Sequence, residues 1–294
     1  NAAMDIQCLT DQRAVLGESP LWAPDEGAVY WIDIRGHKLL RTTLSGPATQ
    51  TWNLPSPPGM IAHRRQGGLV IALQDGLYAF EADTGDLRHL MSLEADMPDN
   101  RANDGKPDVA GRLWLGTMNA DDETIPSGKF YRITPSLDVT AVAHGIRIPN
   151  GLAWSPDNKT MYRTDTAANV VHAYDFDAVT GEISGKRDFF HFDGARTGGV
   201  DGAAVDSAGG YWTTLYGGGK VIRVTPDGHL DIEITLPVTQ PTMPVFGGED
   251  MQTLFITSAR QNLSDKDLQA TPLAGALFAL RVPYQGQLTH PFDG

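Results

Sequence analysis

Six stretches of this 294-residue chain can be laid over one another. Their first strands read ESPLWAPDEG, PGMIAHRRQG, NDGKPDVAGR, NGLAWSPDNK, DGAAVDSAGG and MPVFGGEDMQ. They start at Glu18, Pro58, Asn103, Asn150, Asp201 and Met243, 40 to 51 residues apart. Each continues through a tight turn and a hydrophobic run to a third strand: KLLRTTL, GLYAFEA, KFYRITP, VVHAYDF, KVIRVTP or ALFALRV. A period of this length, filled with several short strands, is the signature of propeller blades. The chain is therefore expected to be all-β, a six-bladed β-propeller over residues 1–294 as one domain. Two sandwich domains would not require a common offset in all six units, and no Pro/Ser-rich linker divides the chain.

Strand-like runs such as VYWIDI, GLVIAL and RLWLGTM alternate with turn clusters such as PDEG, RQGG and SPDN. No apolar i, i+3, i+4 pattern persists, so few or no long helices are expected. The segment DIQCLT before the first unit is expected to add a strand to the last blade, closing the ring and removing its open edges. The first three residues read as a cloning remnant.

The repeat carries a chemical consequence. First strands line the central channel, so equivalent positions of six blades meet in a ring around the axis. Four of the six opening residues bear side-chain oxygens: Glu18, Asn103, Asn150 and Asp201. Carboxylates and amides at the mouth of a narrow channel are costly to desolvate unless something positive satisfies them. Such oxygens suit a hard divalent ion, calcium first, with magnesium, manganese, zinc or iron as alternatives. The competing expectation is that they cap the channel by bonding to one another and to water.

Other chemistries find little support. The eight histidines show no HxH or HxxxH spacing, no G-x-S-x-G is present, and the single cysteine, Cys8, falls in the expected closing strand. The glycines at 217 to 219 lack the context of a dinucleotide-binding turn. Trp22, Trp114, Trp154 and Trp212 read as packing between blades, and Asp104 as a residue of the turn into the third blade. A net charge of −13 without any Lys/Arg cluster argues against nucleic acid and anionic lipid as partners. No apolar run approaches the roughly 20 residues that span a bilayer. Absence of a signal sequence and of disulfide-forming cysteines points to the cytoplasm. No obligatory protein partner is evident.

The runs GESPLW, RANDGKPDVAGRLWLGTM, IPNGLAWSPDNKTMY and GGVDGAAVDSAGGYW resemble the gluconolactonase/regucalcin (senescence marker protein) family of sugar lactonases, over nearly the whole chain from Gly17 to Val282. The resemblance implies one divalent ion held by Glu18, Asn150 and Asp201, and a small-molecule sugar lactone as substrate. It assigns Arg101 and Asn103 to the sugar hydroxyls, and Asp121 to a position where some members carry a substrate-binding Glu. Asp201 is the expected general base, one oxygen on the ion and the other facing a water. The alternatives are a calcium-binding propeller without activity, and a promiscuous esterase or organophosphate hydrolase on the same fold.

Overall fold

The computed structural model describes residues 5–46, 48–193 and 197–294; the N-terminal residues read above as a remnant lie outside these. Six four-stranded antiparallel sheets follow one another along the chain. The first is β2 (Gly17–Ala23), β3 (Ala28–Asp33), β4 (Lys38–Thr43) and β5 (Thr49–Asn53). The second is β6 (Met60–His63) to β9 (Asp86–Ser92), and the third runs from β10 (Asn100–Pro107) through β11 (Leu113–Asn119) and β12 (Gly128–Ile133) to β13 (Val139–Ile146). The fourth is β14 (Pro149–Trp154) to β17 (Ile183–His191) and the fifth β18 (Gly199–Val205) to β21 (Leu230–Thr235). The sixth combines β22 (Pro241–Gly247), β23 (Thr253–Ser258) and β24 (Phe278–Arg281) with β1 (Gln7–Cys8) from the opposite end of the chain. Gln7 pairs with Ala279 and Cys8 with Phe278, the closure expected of DIQCLT.

The inner strands touch in the cyclic order β2, β6, β10, β14, β18, β22 and back to β2, so the sheets are six blades of a β-propeller. Pro58 precedes the inner strand of its blade, which begins at Met60. Both faces of a blade lie against neighbours, which is why β3, apolar up to Asp33, and β7 (Leu69–Leu73) are buried throughout instead of alternating. Six hydrophobic clusters among the described residues fill the gaps between successive blades. In β3, for example, Trp31 packs toward Phe255 and Leu277 of the sixth blade, while Ile32 faces Ile71 and Phe80 of the second.

Trp114 and Trp212 are fully buried in two of these gaps, and their indoles are anchored by turn carboxylates. Trp114 Nε1 donates to Asp108 Oδ2 and Trp212 Nε1 to Asp206 Oδ2, each at 2.8 Å. Arg112 and Arg223 complete the two anchors at 3.0 and 2.8 Å. Burying these carboxylates is tolerable because each is paired and fully hydrogen-bonded.

One short helix, α1 (Asp265–Ala270), interrupts the sixth blade under a Ser264 capping box. No helix among the described residues is long and apolar enough to cross a membrane. The C-terminal segment crosses the end of the channel remote from Glu18 as a strap: Gly286 N–H donates to Met251 O, Phe292 N–H to His63 O, and Asp293 N–H to Gly111 O. Its Phe292 is fully buried.

Candidate functional site

Five of the six inner strands carry a β-bulge at the same level of the channel. The register slips between Glu18 and Leu21, Ala102 and Gly105, Asn150 and Ala153, Val200 and Ala203, and Pro241 and Met243. Only β6 pairs regularly, and it contributes no polar side chain to the cluster. Bulges re-aim side chains, and here they aim four toward the axis. Ser19, Asp104 and Gly151, which follow Glu18, Asn103 and Asn150, adopt left-handed φ values of 50°, 58° and 68°.

The strain at the two non-glycine positions is held by bonds to the next blade. Ser19 Oγ accepts from Ile61 N at 3.0 Å, and Asp104 Oδ2 accepts from Leu152 N at 3.1 Å. Asp104 thus stitches blades three and four from within β10; it does not belong to the turn to which its sequence neighbourhood assigned it. Gly151 is required sterically, because a Cβ there would stand 2.5 Å from the Tyr211 hydroxyl that donates to its carbonyl.

Glu18, Arg101, Asn103, Asp104, Asn150 and Asp201 form one buried cluster, none more than 8% exposed. Asn103 Nδ2 donates to Pro149 O at 2.7 Å and faces Asn150 Oδ1 at 3.3 Å, while its Oδ1 accepts from Arg101 Nη1 at 2.9 Å. Arg101 also donates to Ala102 O, and its buried Nε has no partner.

Burial raises the pKa of Glu18 well above the ordinary carboxylate value, and the adjacent Asp201 charge adds to the effect. Asp201 is pushed up to about 7, again chiefly by burial. Asp104 is raised by burial as well, against the pull of Lys106 and two backbone N–H groups. Three crowded carboxyl groups therefore resist full ionisation unless a cation joins them. Arg101 is lowered to about 10 by burial and by the charge of Arg35.

The Asn150 amide tests whether a dication fits. With Nδ2 toward Thr166 Oγ1 at 2.8 Å, its Oδ1 stands 3.0 Å from Asp201 Oδ1, and two such oxygens repel unless a cation lies between them. Turned over, the amide donates to Asp201 and accepts from Thr166. Thr166 serves both states, since its hydroxyl also reaches Val200 O at 2.7 Å. Two carboxylates and an amide oxygen form an all-oxygen donor set that suits a hard dication. Among the described residues no three His, Cys, Asp or Glu side chains form a metal-holding group, and two of the four side chains of this ring are amides.

Asp121 is not in this cluster. It stands on the segment after β11 with its side chain 86% exposed, ion-paired at 3.2 Å with Arg35, which is 39% exposed. Glu123, two residues on, is the rim carboxylate whose charge reaches Arg101, Asp201 and Tyr216. Tyr216 accepts from Gln261 Nε2 at 2.9 Å, and burial raises its pKa to about 12, so its hydroxyl stays protonated over the cluster. Glu123, Tyr216 and Gln261 carry no repeat signal and were not legible in the sequence.

Residues 16–260 match the family described as SMP-30/gluconolactonase/LRE-like region. The chain belongs to this family. Among SMP-30/gluconolactonase relatives, the 6-deoxy-6-sulfogluconolactonase of Pseudomonas putida is 38% identical over 291 residues, covering 98% of this chain and 99% of the relative. Rabbit (Oryctolagus cuniculus) regucalcin is 32% identical over 286 residues, 95% of each chain. The crystal structure of a calcium-binding protein, regucalcin, from Agrobacterium tumefaciens superposes with a TM-score of 0.94 at 32% identity, covering 99% of this chain and 98% of that one.

Proposed function

We propose that this protein hydrolyses a sugar lactone, opening an aldonolactone such as glucono-, xylono- or arabinonolactone to the aldonic acid, with a divalent ion held by Glu18, Asn150 and Asp201. One observation carries this reading: two crowded carboxyl groups and an amide oxygen meet at a buried mouth, beside a guanidinium with an unused N–H. The names of the P. putida and Agrobacterium relatives, a lactonase and a calcium-binding protein, support its two halves.

A dication on these oxygens would polarise an ester carbonyl and stabilise the negative charge that develops on its oxygen. The remaining chemistry belongs to side chains. Asp201, through the carboxylate oxygen turned away from Asn150, takes a proton from the water that adds to the carbonyl carbon. As the ring C–O bond breaks, that proton passes to the departing ring oxygen, which leaves as a hydroxyl. One water is consumed; one carboxyl and one hydroxyl are formed.

Arg101 Nε–H is free to donate to a sugar hydroxyl, and Asn103 fixes the guanidinium that presents it. Asp121 and Glu123 stand at the rim, where the far end of a lactone would lie. Arg35, close enough to depress the pKa of Arg101, is the rim cation for a lactone that carries an anionic group there, as the name of the P. putida relative specifies for its own substrate.

A second reading, a calcium-binding propeller without turnover, draws on the name of the Agrobacterium structure. Acid release from a panel of sugar lactones, followed by pH-stat with chelated and metal-restored protein, separates the two. The proposal expects metal-dependent release above the spontaneous rate; no release with any divalent ion would refute it.

A further inference from the structure

Below the carboxyl cluster, one cation of the channel among the described residues remains without a role. Lys106 lies on β10, three residues beyond Asn103, and its side chain reaches past the fourth blade to the fifth. Its Nζ donates to Leu152 O in the fourth blade at 2.8 Å and to Ala203 O in the fifth. Both acceptors are backbone carbonyls, so the ammonium is spent on chain geometry and not on an ion pair.

The two carbonyls are specific ones. Leu152 lies inside the bulge that displays Asn150, and Ala203 closes the bulge that displays Asp201. A bulge frees peptide groups from the ladder, and a freed group in a closed channel must find another partner. Leu152 finds two from one neighbouring strand: its N–H goes to Asp104 and its C=O to Lys106. The third blade thereby grips the bulged peptide of the fourth from both sides and reaches on to the fifth.

We infer that Lys106 is a positioning residue: by binding the bulge carbonyls of blades four and five together, it sets the spacing of Asn150 and Asp201 and hence the grip of the mouth on a dication. The inference rests on the reading that these residues hold one. Lysine suits the task, since three N–H donors on a flexible stem can serve two carbonyls presented by adjacent blades. The end of the channel under the C-terminal strap is a cavity of about 110 Å³ that Lys106 also lines, with no carboxylate among its lining residues.

The test is dication affinity measured apart from turnover. Mn²⁺ binding to chelator-treated protein is followed by electron paramagnetic resonance and calorimetry, for wild type, Lys106→Met and Lys106→Gln. Outer partners that orient ligands are worth roughly 10- to 100-fold in metal affinity. Lys106→Met is expected to lose that much and to broaden the Mn²⁺ spectrum; Lys106→Gln, which keeps donors on a shorter stem, falls between.

Arg112→Met is the control, because Arg112 also ties the third blade to carbonyls of the fourth, but at Ala178 and Val179, away from the cluster. It is expected to lower the melting temperature while leaving Mn²⁺ affinity within about twofold. Wild-type affinity and spectrum in both Lys106 variants would overturn the inference, as would an equal loss in Arg112→Met. Should Lys106→Met fail to fold, Lys106→Gln decides. Wild type that binds no dication at all would refute the underlying reading and the inference with it, whereas binding in wild type with unchanged variants refutes the inference alone.

Discussion

Free of any bound dication, the protein should grow less stable as the pH rises, and Asp201→Asn should remove much of that slope. Asp201 has a folded pKa of about 7 against 3.8 when exposed, and the sign follows from proton counting. Between those values the folded chain holds a proton that the unfolded chain has released. Its stabilising contribution is complete below pH 3.8, falls through the interval and is gone above pH 7. A shift of that size corresponds to about 4 kcal/mol, of which about 3 kcal/mol lies between pH 5 and pH 8. Glu18, raised in the same direction, adds to the slope. His172 and His290, whose pKa values are lowered by burial, oppose it. The difference between wild type and Asp201→Asn isolates the cluster from those histidines. Urea unfolding of chelator-treated protein at pH 5 and pH 8 reads it out. Wild type should lose about 3 kcal/mol more than Asp201→Asn across the interval, and saturating dication should restore most of the loss. Parallel pH profiles for the two proteins would refute the argument, because they would mean that Asp201 is not held in a desolvated, crowded state.

Arg101→Met should raise KM for hydroxylated lactones by roughly 30-fold, the worth of about 2 kcal/mol for a charge-assisted hydrogen bond, and initial-rate kinetics would show an unchanged KM if Arg101 only braces Asn103. Trp114→Ala should cost about 3–5 kcal/mol by emptying the slab between blades three and four, with Mn²⁺ affinity nearly unchanged; chemical denaturation and calorimetry measure the two halves. Arg35→Gln should lower kcat/KM for a lactone bearing a terminal anion by at least tenfold while sparing its neutral counterpart, and equal losses on both would remove Arg35 from substrate recognition.

The blades were legible because each is buried on both faces, so that second strands such as AVYWID and LVIAL stand out as largely apolar runs. Outer strands such as Thr49–Asn53 and Asp86–Ser92 are largely exposed and carry no such run; they became visible only once the sheets were formed. Glu18, Asn103, Asn150 and Asp201 could be found in the sequence since a repeat converts equal offsets into proximity. Asp104 and Lys106 sit in the same motif, yet their function depends on which peptide groups the bulges of other blades set free, and no offset reports that. Asp104 in particular follows an Asn and precedes a Gly, a turn-like context, but its left-handed backbone belongs to a bulge within a strand. Glu123 lies in the rim segment after β11, outside the repeat, so no offset reports it; Asp121, in the same segment, is assigned by the family resemblance alone.

The measurement that reaches furthest is anomalous diffraction from crystals soaked in Mn²⁺. A single strong peak bounded by Glu18, Asn150 and Asp201, lost in Glu18→Ala, is the predicted result. A peak elsewhere in the channel, or none in crystals whose dissolved protein still turns over lactone, would contradict it.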